Sequence, residues 1–354
     1  MPFRPADRRR EPAIPMQPLV DPAGWTADDL AANDEWIYQL SETEIGEIRD
    51  AVEANRRAGR DILDITREDF PLPTLDVGLR ALYDELLEGR GFFLMRGMPV
   101  DEFDKDEAGI AFWGLGLRFG RPLSQNPKGH MLGHVKDFGG DYADPLVRGY
   151  QTAAEMSFHS DQCDYVALMC MQPSKSGGAS RIASTVTLYN RMLEKYPDLV
   201  EELTAEFYIT KHGETKPGED PWYKMPLFSF HDGYFTARGA GAHIRKARSL
   251  PGVPPFTGAQ EKALAAYQEM AREIYFDMDF RPGDIQLLHN HVTLHTRTAF
   301  EDWPEPNRKR HLMRLWLAED RGGRPVVDGF RENIQGIETE GTVPCAPVDA
   351  FEAA

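Results

Sequence analysis

The chain has 354 residues, 41% of them hydrophobic and 27% charged, with a formal net charge of -17; an acidic surface of this kind repels nucleic acid and anionic membranes. Length and apolar content suit one catalytic domain with a core large enough to fold alone. No apolar run approaches a bilayer span, the first twenty residues lack a secretory apolar core, and three cysteines (Cys163, Cys170 and Cys345) make no disulfide framework, so a cytoplasmic protein is expected.

In chain order, residues 1–25 are rich in Pro and Arg and read as a poorly ordered arm. From Thr26 to about Ala58 the pattern predicts helix, with Ile45, Ile48 and Val52 at helical spacing and Ser41 as an N-cap. A second helix, VGLRALYDELLEG, leads into GFFLMRG, a glycine-bounded apolar run that suits a buried strand, and DEAGIAFWGLGLRFG reads as a third helix. Phe112, Trp113 and Phe119 fit the core side of that helix.

Beyond about residue 145 short strands dominate: YVALMCMQ, SRIAST, FYITKHG, PLFSFHDGYFTARG, YFDMDF, IQLLHNHVTLH and RHLMRLWLAE. Asp232 and Gly233 predict a type I′ hairpin. Two helices, TVTLYNRMLEKY and TGAQEKALAAYQEMAREI, interrupt the strands. The pattern implies a mixed α/β domain over 26–320 with a β core, an antiparallel sandwich or jelly roll decorated by helices. Residues 321–354 read as a peripheral tail.

The chemistry concentrates at FHSDQCDYVALMC, Phe158 to Cys170. In an extended chain residues i and i+2 share a face, so His159 and Asp161 could hold one metal ion. A third ligand must come from elsewhere, and LLHNHVTLHTRTAF offers His289, His291 and His295, whose equal parity in one strand leaves all three open. RHLMRLWL then places Arg310 and Arg314 on one strand face, roughly 13 Å apart. Two arginines amid Leu, Met and Trp are costly to bury without anions, which points to carboxylate or similar ligands.

Four motifs in this order, FHSD, SGGAS (Ser176 to Ser180), GDIQLLHNHVTLHTRTAF and RKRHLMRLWL, resemble the iron(II)- and 2-oxoglutarate-dependent oxygenases of the taurine dioxygenase and clavaminate-synthase-like group. The resemblance covers roughly residues 90 to 320 and implies a double-stranded β-helix. Carried over by position, it implies His159, Asp161 and His295 as the facial triad for Fe(II), with His295 chosen because it directly precedes TRTAF. It also implies Arg310 and Ser180 as holders of the 2-oxoglutarate cosubstrate, and Arg314 as the arginine that in some members meets the substrate's acidic group. One departure stands out: His291 occupies a place where many relatives carry arginine. The implied reaction consumes dioxygen and 2-oxoglutarate, releases succinate and carbon dioxide, and hydroxylates a small-molecule substrate, such as a carboxylate, sulfonate or amino acid. The carboxylate ligand points away from halogenation. Relatives commonly self-associate, so a homo-oligomer is within what the resemblance implies.

Other readings compete. A catalytically idle jelly roll would keep the pocket to bind a small acid. A cupin-type dioxygenase using His159, His289 and His291 without 2-oxoglutarate would leave Arg310 without a task. His212 and Glu214 form another His-x-carboxylate pair, in a Gly- and Pro-rich stretch with no strand behind it. The basic run 238–249, with Arg238, Arg245, Lys246 and Arg248, reads as a solvated loop rather than a lid over an anionic substrate. Cys163 reads as a buried thiol.

Overall fold

A computed structural model describes residues 3–140 and 149–349. The helix expected from Thr26 to Ala58 is broken in two. α1 (Ala27–Ala31) ends early, and β1 (Ile37–Gln39) separates it from α2 (Glu42–Ala58). Trp36 explains the break: its indole donates to the Leu30 and Asn33 carbonyls, folding the chain back beneath α1. α2 restarts on a reciprocal cap in which the Ser41 N–H donates to Glu44 Oε2 and the Glu44 N–H donates to Ser41 Oγ; it stops at Gly59 in the left-handed region. α3 (Leu75–Glu88), β2 (Phe92–Arg96) and α4 (Lys105–Gly116) fall where the sequence predicts them, followed by β3 (Arg121–Leu123) and β4 (Leu132–Val135).

The strand-rich half runs β5 (Tyr165–Gln172), β6 (Ser176–Gly177), β7 (Ser180–Ser184), α5 (Thr185–Lys195), α6 (Pro197–Leu203), β8 (Glu206–Thr210) and β9 (Trp222–Pro226). Next come β10 (Phe228–His231) and β11 (Tyr234–Ala237), joined by Asp232 and Gly233, both at positive φ as a type I′ turn requires. The remainder is α7 (Ala242–Lys246), α8 (Gly258–Ile274), β12 (Phe276–Met278), β13 (Ile285–His289), β14 (Thr293–Arg297), β15 (Phe300–Glu301), β16 (His311–Ala318) and α9 (Asp328–Glu332). Among the described residues no helix is long and apolar enough to cross a membrane.

Two sheets face each other. The larger has the order β1-β2-β13-β5-β16-β3, with β4 also on β16, and the smaller is β12-β7-β14. Alternation along the large sheet assigns its two faces. Phe93, Met95, Tyr165, Ala167, Met169, Ile285, Leu287, Met313, Leu315 and Leu317 pack with α2, α3 and α4, together with Phe112, Trp113 and Phe119. The opposite parity, with Phe92, Leu94, Val166, Leu288 and Trp316, turns inward toward Ile182 of β7 and Met278 of β12. A third apolar layer joins the small sheet to α5, α6 and α8. This is the helix-decorated double-stranded β-helix expected.

One strand expectation fails with consequences for the site. IQLLHNHVTLH is not a single strand: β13 ends at His289, and the chain turns at 290–292 before β14 crosses to the small sheet. Asn290 makes the turn, donating its N–H to Asp164 O and its side-chain amide to Cys163 O. The equal parity of the three histidines therefore does not survive.

The terminal segments carry contacts of their own. Leu19, Ala23 and Trp25 are buried, and Asp21 joins Arg10 to Arg324, whose side chain is fully enclosed. Phe330, Ile334 and Ile337 of the tail are buried as well. Irregular backbone is thus packed backbone here. Residues 1, 2 and 350–354 of these segments lie outside the described residues.

Candidate active site

His159 joins the small sheet at a single bridge: its N–H donates to His295 O and its carbonyl accepts from the His295 N–H, each at 3.0 Å. The bridge sets the two imidazoles side by side, ring centroids 4.3 Å apart. Asp161, two residues on, donates its N–H to Asn290 Oδ1 at 3.1 Å. Its Oδ2 accepts from the Trp316 indole N–H at 2.9 Å and lies 3.8 Å from His295 Nε2. One ligand atom from each of His159, Asp161 and His295 lies within 4.8 Å of the others, and among the described residues this is the one such group of three.

The electrostatics prepare these atoms for a metal. Burial pushes His295 down to about 3 and lowers His159, so both imidazoles are neutral. His159 Nδ1 lies 2.9 Å from Ser157 O, which places its proton there and leaves Nε2 as the lone pair. Burial alone would raise Asp161, but Arg314, His295, His159 and the Trp316 hydrogen bond outweigh it and hold the carboxyl well below its usual range. Two neutral imidazoles and one carboxylate suit ferrous iron and leave one face of the ion open.

The backbone around the motif is clamped from outside. Gly239 lies so close that a Cβ there would fall 2.5 Å from Ser160 N and 2.6 Å from His159 Cα. Only glycine allows this approach. Gln268 of α8 ties the layers together, accepting from Phe158 N and donating to Phe158 O and Ala240 O.

The other expected residues divide. Arg314 lines the triad cavity: its Nε donates to Gln125 Oε1 at 2.7 Å, the Gln125 amide returns a bond to Arg314 O, and Nη1 stands 3.6 Å from Asp161 Oδ2. Tyr150 and Trp316 flank the guanidinium at 4.8 and 4.9 Å. Arg310, immediately before β16, opens instead on a neighbouring recess lined by Cys170, Gly177, Gly178 and Phe280. It is 4% exposed; its backbone N–H donates to Asp302 Oδ1 at 2.7 Å, but its guanidinium forms no ion pair among the described residues and leaves Nη1 without a hydrogen bond. Its pKa is pushed down to about 10 by burial. Ser180 is buried and donates its hydroxyl to Gln286 Oε1 at 2.9 Å, while Gln286 Nε2 is orphaned. Buried donors at Arg310 and Gln286 without acceptors fit a carboxylate, as 2-oxoglutarate would bring.

The competing candidates go elsewhere. His291 Nε2 lies 3.0 Å from Asp164 Oδ1 and its ring packs on His289 and Phe330. His289 packs on Tyr165. The three-histidine cupin arrangement is therefore not formed. His212 is not in the triad, although it lines the cavity with its ring 4.2 Å from His243. Cys163 is fully buried, with burial pushing its thiol pKa up.

Sequence reasoning missed Trp316, Gln125, Gln286 and Gly239, and read Arg238 as part of a solvated loop. Gln286, a lone amide inside the apolar IQLL, and RGAGA, an arginine followed by residues small enough for close approach, were the available signals.

A family model described as "Taurine catabolism dioxygenase TauD, TfdA family" matches residues 56–316. FR-33289 synthase of Streptomyces rubellomurinus (strain ATCC 31215) is 29% identical over 311 residues, covering 86% of this chain and 92% of that protein. The taurine hydroxylase-like protein SAT17 of Stachybotrys chartarum (strain CBS 109288 / IBT 7711) is 29% identical over 329 residues, covering 89% and 84%. In fold, the chain resembles an asparagine oxygenase crystallised with Fe(II), 2S,3S-3-hydroxyasparagine and succinate, with a TM-score of 0.63, 18% identity, and coverage of 86% and 99%. It also resembles the non-heme iron oxygenase OrfP crystallised with Fe and alpha-ketoglutaric acid, with a TM-score of 0.60, 13% identity, and coverage of 80% and 94%.

Proposed function

Because the chain belongs to the TauD/TfdA family of taurine catabolism dioxygenases, we propose that it is an Fe(II)- and 2-oxoglutarate-dependent dioxygenase that hydroxylates a small organic acid at the cavity beside His159, Asp161 and His295. The observation that carries the reading is the convergence of those three side chains, in ligand-ready protonation states, from segments far apart in the chain. When bound, ferrous iron with 2-oxoglutarate and dioxygen supplies the oxidising power, releasing succinate and carbon dioxide and placing oxygen on a substrate carbon.

The protein's part is binding, orientation and exclusion of water. His159, Asp161 and His295 would hold the metal. Trp316 donates to Asp161 Oδ2 and so holds the carboxylate in its orientation. Arg310 receives the distal carboxylate of 2-oxoglutarate, its planar fork offering the orphaned Nη1, and Ser180 with Gln286, bonded to each other, are the further candidates to hold it. Arg314, kept in place by Gln125 and two aromatic rings, meets the acidic group of the substrate.

The test is a screen of small carboxylates, sulfonates, phosphonates and amino acids for substrate-stimulated succinate release by the purified, iron-loaded protein. Stimulation by at least one acid, with a matching oxidised product, is expected. Failure of 2-oxoglutarate to be consumed under any condition would contradict the assignment.

A further inference from the structure

Arg238 follows β11 and forms part of the wall of the triad cavity. It is 5% exposed, yet no carboxylate pairs with it among the described residues. Its ties are Nη1 to Asp161 O at 2.7 Å and Nη2 to the Tyr223 hydroxyl at 3.5 Å, both neutral oxygens that bring no counter-charge. Arg118 and Arg324, buried elsewhere, each rest on a carboxylate, Asp76 and Asp21. The loop carrying Arg238 is held tightly: Tyr267 donates its hydroxyl to Arg238 O, and the Gly239 N–H donates to Ser160 Oγ. A buried cation held this firmly without a counter-ion is expensive unless a ligand supplies the charge.

Charge counting says how much is missing, and it rests on the proposed function. Ferrous iron, Asp161, 2-oxoglutarate as a dianion and Arg310 together cancel. With Asp161 counted toward the iron, the net charge left over among the described residues of the cavity is that of Arg314 and Arg238. Asp161 is the one acidic side chain among the described residues that line it, while Lys246, His212 and His243 line the same space. In a chain of net charge -17 two arginines lining one cavity are opposite in sign to the surface.

We propose that the prime substrate is a dianion, carrying two acid groups or one doubly ionised group, with Arg238 and Arg314 each answering one of its charges. A zwitterionic amino acid would leave a cation unmatched and bring an ammonium into a cavity already positive. A monoanion would satisfy Arg314 alone. Arg238 is then the residue that sets charge specificity, and the run 238–249, which reads as solvated in sequence, supplies it from a buried position.

The test is calorimetry on the iron-loaded protein, anaerobic, saturated with 2-oxoglutarate and at alkaline pH so that a phosphonate carries both charges. The probes are adipate, propylphosphonate, propanesulfonate and glycine betaine, whose quaternary ammonium keeps it zwitterionic at alkaline pH. At least one dianion is expected to bind about tenfold or more tightly than the monoanion and the zwitterion. Adipate against propylphosphonate tells two separate carboxylates from one doubly charged head. Arg238→Gln should erase the preference while the iron–2-oxoglutarate absorption band persists, and Arg238→Lys should restore part of it. Equal affinity for all four probes, no measurable binding of either dianion, or a preference that survives Arg238→Gln would overturn the proposal. Should Arg238→Gln fail to fold, the wild-type ranking decides. Absence of the band in the wild-type protein would instead sink the oxygenase assignment, leaving the calorimetric ranking as a separate reading of Arg238.

Discussion

Behind Asp161, the Asp164 carboxylate lies 3.0 Å from His291 and accepts from the Glu319 N–H at 2.9 Å, and Glu319 accepts in turn from the Tyr83 hydroxyl. Between the sheets, Arg310 Nη1 and Gln286 Nε2 have no partner and Arg238 has no counter-ion among the described residues. Both clusters are buried. The difference teaches how to separate structural polar groups from functional ones: where partners answer one another, burial is compensated internally and the cluster serves the fold. At Arg310, where the leftover donor opens on a recess, the missing acceptor is one that a ligand carboxylate can supply.

The largest effect that could break this contrast is at the triad. Asp161→Ala removes one metal ligand and the counter-charge of Arg314, so iron retention and turnover should fall below detection while the far-ultraviolet circular dichroism stays native. Normal succinate release by that variant would take Asp161 out of the site. Next comes Arg310→Leu. Losing a charge-assisted pair of ~2–3 kcal/mol should raise the apparent 2-oxoglutarate KM by about 30- to 150-fold with a smaller change in kcat. An unchanged KM would move the cosubstrate to another arginine.

Trp316→Phe sharpens the comparison from inside the site, since it deletes one hydrogen bond to Asp161 and leaves the ring. Iron affinity should drop by about tenfold in a competition assay with a chelator, the lower end of what such supporting bonds contribute. No change in affinity would show that Asp161 is oriented by other partners.

The smallest effect concerns a satisfied pair. His134 Nδ1 lies 2.7 Å from His311 Nε2, and His134 Nε2 lies 2.7 Å from Pro347 O, so one neutral ring donates to the other. Burial pushes His311 down to about 3 from 6.5 and lowers His134. Their neutral forms contribute full stability above the unfolded value, and that contribution is lost as pH falls toward the folded one, because the unfolded chain takes up protons the folded chain refuses. Between neutral pH and about pH 5 the loss should be read as a falling Tm, and His311→Gln should flatten that limb. An unchanged slope would mean the pair is not neutral.

Much of this was legible in the residues. Caps such as Ser41 with Glu44, the Asp232-Gly233 hairpin and the alternation of β5 and β16 are local signals, and local physics decided them. The resemblance in FHSD and in the segment ending at His295 named the three side chains that converge. What escaped was decided by distant contacts. Nothing periodic announces that Trp36 will fold α1 back, or that Asn290 will reach Asp164 and Cys163 and split one apparent strand into two. Arg238 looked like surface because its neighbours Arg245, Lys246 and Arg248 are charged; only the fold shows Gly239 drawing it against His159. The arm and tail read as loose because their burial comes from single residues, Leu19 or Ile337, rather than from a repeating face.

The central claim is that the side chains at 159, 161 and 295 hold one ferrous ion with an open face for 2-oxoglutarate. Titrating the metal-free protein with ferrous iron under argon in the presence of 2-oxoglutarate tests it directly. A metal-to-ligand charge-transfer band that saturates at one iron per chain and is absent from Asp161→Ala is the predicted result. A protein that binds iron without the band, or a band that survives Asp161→Ala, would contradict it.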